Sequence, residues 1–121
     1  MIGLSFKTGT DDLRESPLVL MAEHFLGKGL SLSIYDPEVQ LSSLLGANRL
    51  FIEQHVPHIG SLLRENIREV INDSELLLVG LNDSRTLDLL RKHVSDDHVV
   101  IDLVGIPDRG RMGGHYAGLC W

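Results

Sequence analysis

Apolar residues in this chain follow two kinds of pattern. Short continuous or alternating runs predict strands, and stripes at i, i+3, i+4 and i+7 predict helices. Met1 to Phe6 is apolar apart from Gly3 and Ser5 and predicts an opening strand. Leu18, Met21, Ala22 and Phe25 carry the helical spacing, so residues 17–27 read as an amphipathic helix. Ser16 is its N-cap, Pro17 suits the first turn, and Gly27 and Gly29 supply the stop. Leu30, Leu32 and Ile34 alternate with Ser31, Ser33 and Tyr35 as a second strand, ended by Asp36-Pro37. A short helix is expected over Val39 to Leu45, closed by Gly46, and residues 47–60 predict a loop or short helical turns. Leu63, Ile67, Val70 and Ile71 form another helical stripe, followed by the turn Asn72-Asp73-Ser74. Leu76 to Val79 is a continuous apolar run of the kind buried on both faces of a parallel sheet. Leu87 and Leu90 anchor a helix over residues 84–93, and Val99 to Val104 is the next strand. Gly105 to Gly114 reads as a loop, and Tyr116 to Trp121 as a final short strand.

Strands that alternate with helices imply right-handed crossovers and a parallel sheet covered on both faces. The expected fold class is therefore α/β, a Rossmann-like three-layer sandwich with a mostly parallel sheet. At 121 residues the chain suits one domain, spanning 1–121, large enough to bury an independent core. Formal net charge is −6, with no basic stripe carrying interleaved aromatics, which disfavours nucleic acid as a partner. The single cysteine, Cys120, excludes an intrachain disulfide and suits a reducing compartment. No apolar run approaches the roughly 18 residues of a membrane span, and no signal-peptide pattern opens the chain. A cytoplasmic chain without a membrane partner is the expectation.

An acidic chain that binds an anion must gather its cations locally. The loop between the opening strand and the first helix does so. Lys7, Thr8, Gly9, Thr10 and Arg14 combine two cations, two hydroxyls and a flexible glycine beside a helix N-terminus, a combination suited to phosphate. The bland alternative is a solvated turn in which Asp11, Asp12 and Glu15 neutralise Lys7 and Arg14. A dinucleotide fingerprint fails, because Gly3 and Gly9 lack the G-x-G-x-x-G spacing. Asp36, at the end of the second strand, then reads as a strand-ending Asp before proline rather than a ribose ligand. The six histidines show no metal-ligand spacing, so no metal site is expected. Cys120 has no neighbouring base and reads as structural. A phosphate-accepting receiver domain would need a lysine after a late strand, and residues 105–121 contain none.

The string Phe6-Lys-Thr-Gly-Thr-Asp-Asp-Leu-Arg-Glu-Ser-Pro17 resembles the start of the C-terminal domain of the UDP-glucose/GDP-mannose dehydrogenase family. The stretches Pro57 to Leu63, Ile101 to Gly105 and Gly118 to Trp121 extend the likeness along the chain, toward the GDP-mannose branch associated with alginate biosynthesis. Val104 stands where UDP-sugar members typically carry an arginine, which agrees with that branch. The resemblance implies one domain excised from a longer NAD-dependent enzyme that oxidises a sugar C6 alcohol to a carboxylate. Lys7 and Phe6 would then be substrate-binding, and Arg14 would approach NAD, the cofactor held mainly by an absent N-terminal domain. GDP-mannose and the remaining domains would be the partners, within a homodimer. The nucleophilic cysteine of the family would lie outside this chain, so no catalytic residue is expected and the isolated chain should be inactive. Arg109 and Arg111 are weaker candidates for the nucleotide. The competing reading is a non-catalytic dimerisation or interaction module of α/β fold.

Overall fold

The computed structural model describes residues 1–5, 7–39 and 47–119. Phe6, most of the expected helix over Val39 to Leu45, and Cys120 and Trp121 lie outside the described residues.

Three strands form the regular part of the sheet: β1 (Leu76–Val79), β2 (Val99–Asp102) and β3 (His115–Gly118), paired in parallel in the order β1-β2-β3. Parallel bridges continue the sheet beyond β1. Ile2 bridges both Val79 and Tyr35, and Ile34 bridges Leu63. The lateral order is thus Leu63, Ile34–Tyr35, Ile2, β1, β2, β3. Numbered along the chain, that order is 3-2-1-4-5-6, the doubly wound arrangement, with the reversal between Ile2 and β1.

Among the described residues, five helices flank the sheet: α1 (Pro17–Gly27), α2 (Ala47–His55), α3 (Ile59–Leu62), α4 (Ile67–Asn72) and α5 (Ser84–His93). Leu18, Val19 and Ala22 of α1, Ile52 of α2 and Ile59 of α3 join Met1, Ile34 and Leu78 in one core cluster. Ile67, Val70 and Ile71 of α4 and Leu87 and Leu90 of α5 join Ile2, Tyr35, Leu77 and Val79 in the other. Ile34 and Tyr35, and successive residues Leu77, Leu78 and Val79 of β1, enter opposite clusters, as period-2 geometry requires. The molecule is therefore the expected three-layer sandwich, and every pairing among the described residues is parallel. Among the described residues no helix is long and apolar enough to cross a membrane.

Four expectations change. The opening strand makes only the ladder position Ile2, because Gly3 takes φ +108 and turns the chain out of the sheet. The second strand is confined to Ile34 and Tyr35. Residues 47–55 form a nine-residue helix rather than short turns. Leu63 is not on a helical stripe; it closes the sheet edge beside Ile34, with Arg64 N–H donating to the Ile34 carbonyl at 2.8 Å.

Candidate functional site

In an open parallel sheet, ligands settle beyond the carboxyl ends of the strands where the order reverses. Two loops meet there: Gly3–Ser16, leaving Ile2, and Gly80–Asp83, leaving β1. The base of this junction is close-packed. A Cβ on Gly3 would lie 2.7 Å from Leu81 Cγ, and one on Gly80 would lie 2.6 Å from Leu18 Cδ1. The Asn82 N–H donates to Thr8 Oγ1 at 3.3 Å, joining the two loops.

The Gly3–Ser16 loop is held at both ends and in the middle. Ser16 is buried; its Oγ donates to the Leu4 carbonyl at 2.7 Å and accepts the Leu18 N–H at 3.3 Å, capping α1 as the sequence predicts. Leu13 is fully buried in the α1 cluster, although Asp11 and Arg14 on either side are exposed. Burying such a leucine is worth roughly 1.5–3 kcal/mol and anchors the middle of the loop to the core. Lys7, Thr8 and Gly9 form the exposed crest.

Lys7 is exposed on this crest, and Arg14 lies at the far end of the same loop. Arg14 is engaged: its Nε donates to Asp12 Oδ1 at 3.0 Å and its Nη2 to Asp12 Oδ2 at 3.1 Å. The Arg14 N–H and the Thr10 hydroxyl complete the local turn around Asp12. Hydrogen bonds from Arg14 hold the Asp12 carboxyl below the usual carboxylate range. The fork uses two of the guanidinium's five donors and leaves three for solvent or a guest. The side chain is 63% exposed, so the pair is a surface one, readily screened.

The helix N-terminus contributes less than its place suggests. Pro17 has no N–H, the Leu18 N–H is taken by Ser16 Oγ, and the Val19 N–H by the Ser16 carbonyl at 3.1 Å. An anion at this loop would meet side chains rather than free amides of α1.

Two buried aspartates shape the strand ends, and sequence reasoning undervalued both. Asp36 is 1% exposed. Its Oδ2 accepts the Leu4 and Ser5 N–H groups at 2.8 and 2.9 Å, and its Oδ1 those of Glu38 and Val39 at 3.0 and 3.3 Å. Four donors fill the lone pairs of a carboxylate, leaving none for a ribose hydroxyl. The residues therefore do not fit a dinucleotide held in the Rossmann manner at this chain's own strand ends. Asp102, fully buried, accepts the Val104 and Gly105 N–H groups through Oδ1 at 2.8 and 2.9 Å. Its Oδ2 accepts the Ile106 N–H at 2.7 Å and the Tyr116 hydroxyl. This capture ends β2 at Asp102, two residues before the expected Val104. Burial, then the Asp102 carboxylate, pushes the Tyr116 hydroxyl up to about 12. Arg109 and Arg111 sit exposed on a 3-10 turn of the following loop, with Arg109 beside the Tyr116 hydroxyl. The only sequence signal for these roles is an Asp closing each apolar strand before a turn residue.

Comparison with known proteins completes the picture. Residues 1–109 match the model of the UDP-glucose/GDP-mannose dehydrogenase family, UDP binding domain. The chain belongs to that family. Over its whole length it is 46% identical to the GDP-mannose 6-dehydrogenase of Pseudomonas syringae pv. tomato and 44% identical to that of Pseudomonas aeruginosa, covering 28% and 27% of those proteins. It superposes on a crystal structure of a ternary complex of GDP-mannose dehydrogenase from Pseudomonas aeruginosa with a TM-score of 0.83, at 44% identity, over 99% of this chain and 27% of that one. The chain thus spans little more than a quarter of the family members it matches. The doubly wound sheet and the loop carrying Lys7 and Arg14 are this family domain's fold and its opening segment.

Proposed function

We propose that this chain is the C-terminal sugar-nucleotide-binding domain of an NAD-dependent GDP-mannose 6-dehydrogenase, one domain of a longer, homodimeric enzyme. Whole-chain identity of 46% to a GDP-mannose 6-dehydrogenase carries this reading. The exposed loop at the strand-order reversal supports it independently, since that is where an α/β sheet offers a ligand crevice.

In this reading Lys7 meets the diphosphate of GDP-mannose as a point charge with three donors. Phe6 is a further substrate-binding residue in this reading, and Arg14, with three donors still free, faces the NAD side. The dinucleotide itself is held by the rest of the enzyme, consistent with the saturated Asp36. NAD supplies the hydride acceptor; this domain binds and orients the sugar nucleotide, which contributes through positioning rather than bond-making.

The test is a titration of the chain with GDP-mannose followed by amide chemical shifts. Shifts concentrated over Lys7 to Ser16 are expected, together with a Lys7→Ala variant that binds about tenfold more weakly, the size of one charge-assisted hydrogen bond. Unperturbed shifts in that loop at the highest soluble concentration of GDP-mannose would refute the assignment. NAD reduction by the chain alone would refute the division of labour between domains.

A further inference from the structure

We infer that Asp36 is a positioning residue for the anion-binding loop, acting on the sugar nucleotide through Ser5 and Lys7 without touching it. The inference rests on the reading of Lys7 given above.

The opening strand leaves the sheet after Gly3. Gly3 makes the last ladder bond on that side, its N–H donating to the Tyr35 carbonyl at 2.7 Å. Beyond it the neighbouring strand has already turned at Asp36-Pro37, so the Leu4 and Ser5 N–H groups have no carbonyl to face. Leu4 and Ser5 are both buried, and water cannot serve them. Asp36 Oδ2 takes both N–H groups. Its other oxygen takes the Glu38 and Val39 N–H groups of its own turn, and if the carboxylate swung away the buried Leu4 and Ser5 N–H groups would be orphaned. Pro37 adds to this by confining Asp36 to extended backbone.

Ser5 passes the constraint on. Its N–H is held by Asp36, and its Oγ donates to the Lys7 carbonyl at 3.2 Å. The path from Asp36 to the lysine is two hydrogen bonds and one residue long. Thr8, next to Lys7, is tied in turn to Asn82 of the adjoining loop. Lys7 is exposed, and the direction in which its side chain leaves the loop is set by its backbone. That backbone is aimed by Asp36. Because Asp36 is 1% exposed and saturated by protein donors, any effect of its substitution on ligand affinity must be transmitted rather than direct.

A double-mutant cycle on the chain tests this, with GDP-mannose as the probe and affinities measured well below the melting temperature of each variant. Lys7→Ala is expected to weaken binding about tenfold. Asp36→Asn leaves one oxygen for four donors and is expected to weaken binding by about fivefold or more. If Asp36 acts through Lys7, Asp36→Asn costs nothing further in the Lys7→Ala background. An equal loss in both backgrounds, or full affinity in Asp36→Asn, would overturn the inference while leaving Lys7 as a ligand contact. Unchanged affinity in Lys7→Ala would overturn the binding reading and this inference with it. Should Asp36→Asn fail to fold, Ser5→Ala severs the same path at the Oγ–Lys7 bond and enters the cycle in its place, with the same outcomes.

Discussion

Replacing Asp102 by asparagine isolates what a buried strand-end carboxylate does for this fold. Asp102 gives Oδ1 to the Val104 and Gly105 N–H groups and Oδ2 to the Ile106 N–H and the Tyr116 hydroxyl. Asparagine retains one oxygen. Its favoured orientation leaves that oxygen facing Val104 and Gly105 and presents the amide NH2 to Ile106 and Tyr116. The tyrosine hydroxyl can rotate and accept, but the Ile106 N–H cannot, and Ile106 is 4% exposed. One orphaned buried donor costs about 1–3 kcal/mol. The two surviving bonds lose their charge assistance, roughly another 1 kcal/mol together. The sum is about 2–4 kcal/mol. For 121 residues the unfolding entropy near the midpoint is about 0.25 kcal/mol/K, so the melting temperature should fall by roughly 8–16 °C. Differential scanning calorimetry measures the shift, and urea titration should show a lower midpoint with an unchanged slope. A fall of less than about 2 °C would mean that the loop after β2 does not depend on this carboxylate, and the reasoning applied to both aspartates would fail.

Three further predictions concern other parts of the fold. Because burial and Asp102 hold the Tyr116 hydroxyl neutral up to about pH 12 while an unfolded tyrosine ionises near 10, stability present below pH 10 should be lost as pH rises through that window. Tyr116→Phe should flatten the decline, read from urea midpoints across the same range. Gly3→Ala should cost about 3–5 kcal/mol, since it adds strain at φ +108 to a Cβ 2.7 Å from Leu81 Cγ. Gly9→Ala, at φ +80 with nothing within 4 Å, should cost only about 1 kcal/mol, and equal losses in chemical denaturation would contradict the contrast. Desolvation, then Arg68 and Lys92, hold the His93 imidazole below its usual 6.5, and its Nε2 accepts the Arg68 Nε–H at 3.1 Å. The stability from this pair is present above pH 6.5 and lost as pH falls below it, and Arg68→Ala should raise the His93 titration midpoint in an NMR pH series.

Features written in local sequence were legible. Ser16-Pro17 marks the start of α1, Leu76 to Val79 is β1, and a helix runs over the expected residues 84–93. Such signals depend on neighbours within a turn or two of chain. What escaped depends on distant partners. Leu63 fits a helical stripe by spacing, yet it pairs with Ile34, because only the assembled sheet offers it an edge. Asp36 reaches Leu4 and Ser5, more than thirty residues away, and no local pattern announces that. The helix N-terminus misled for a related reason. A capped and proline-started helix looks like an anion site in sequence, but the cap and the proline consume the donors an anion would need.

The layout at the strand-order reversal separates rigidity from chemistry. Gly3, Gly80 and Ser16 are small, and each lets backbone or a core leucine approach more closely than a larger side chain would allow. Leu13 and Leu18 then seal the base. Lys7, Asp12 and Arg14 lie on the rim in contact with water, whereas the buried Asp36 carboxylate is saturated by backbone donors. Desolvation therefore costs little until a ligand or a neighbouring domain covers the rim. At that point the surface pair of Arg14 with Asp12, worth about 0–1 kcal/mol in water, would strengthen as its dielectric falls. A covering domain would thus order the arginine against Asp12.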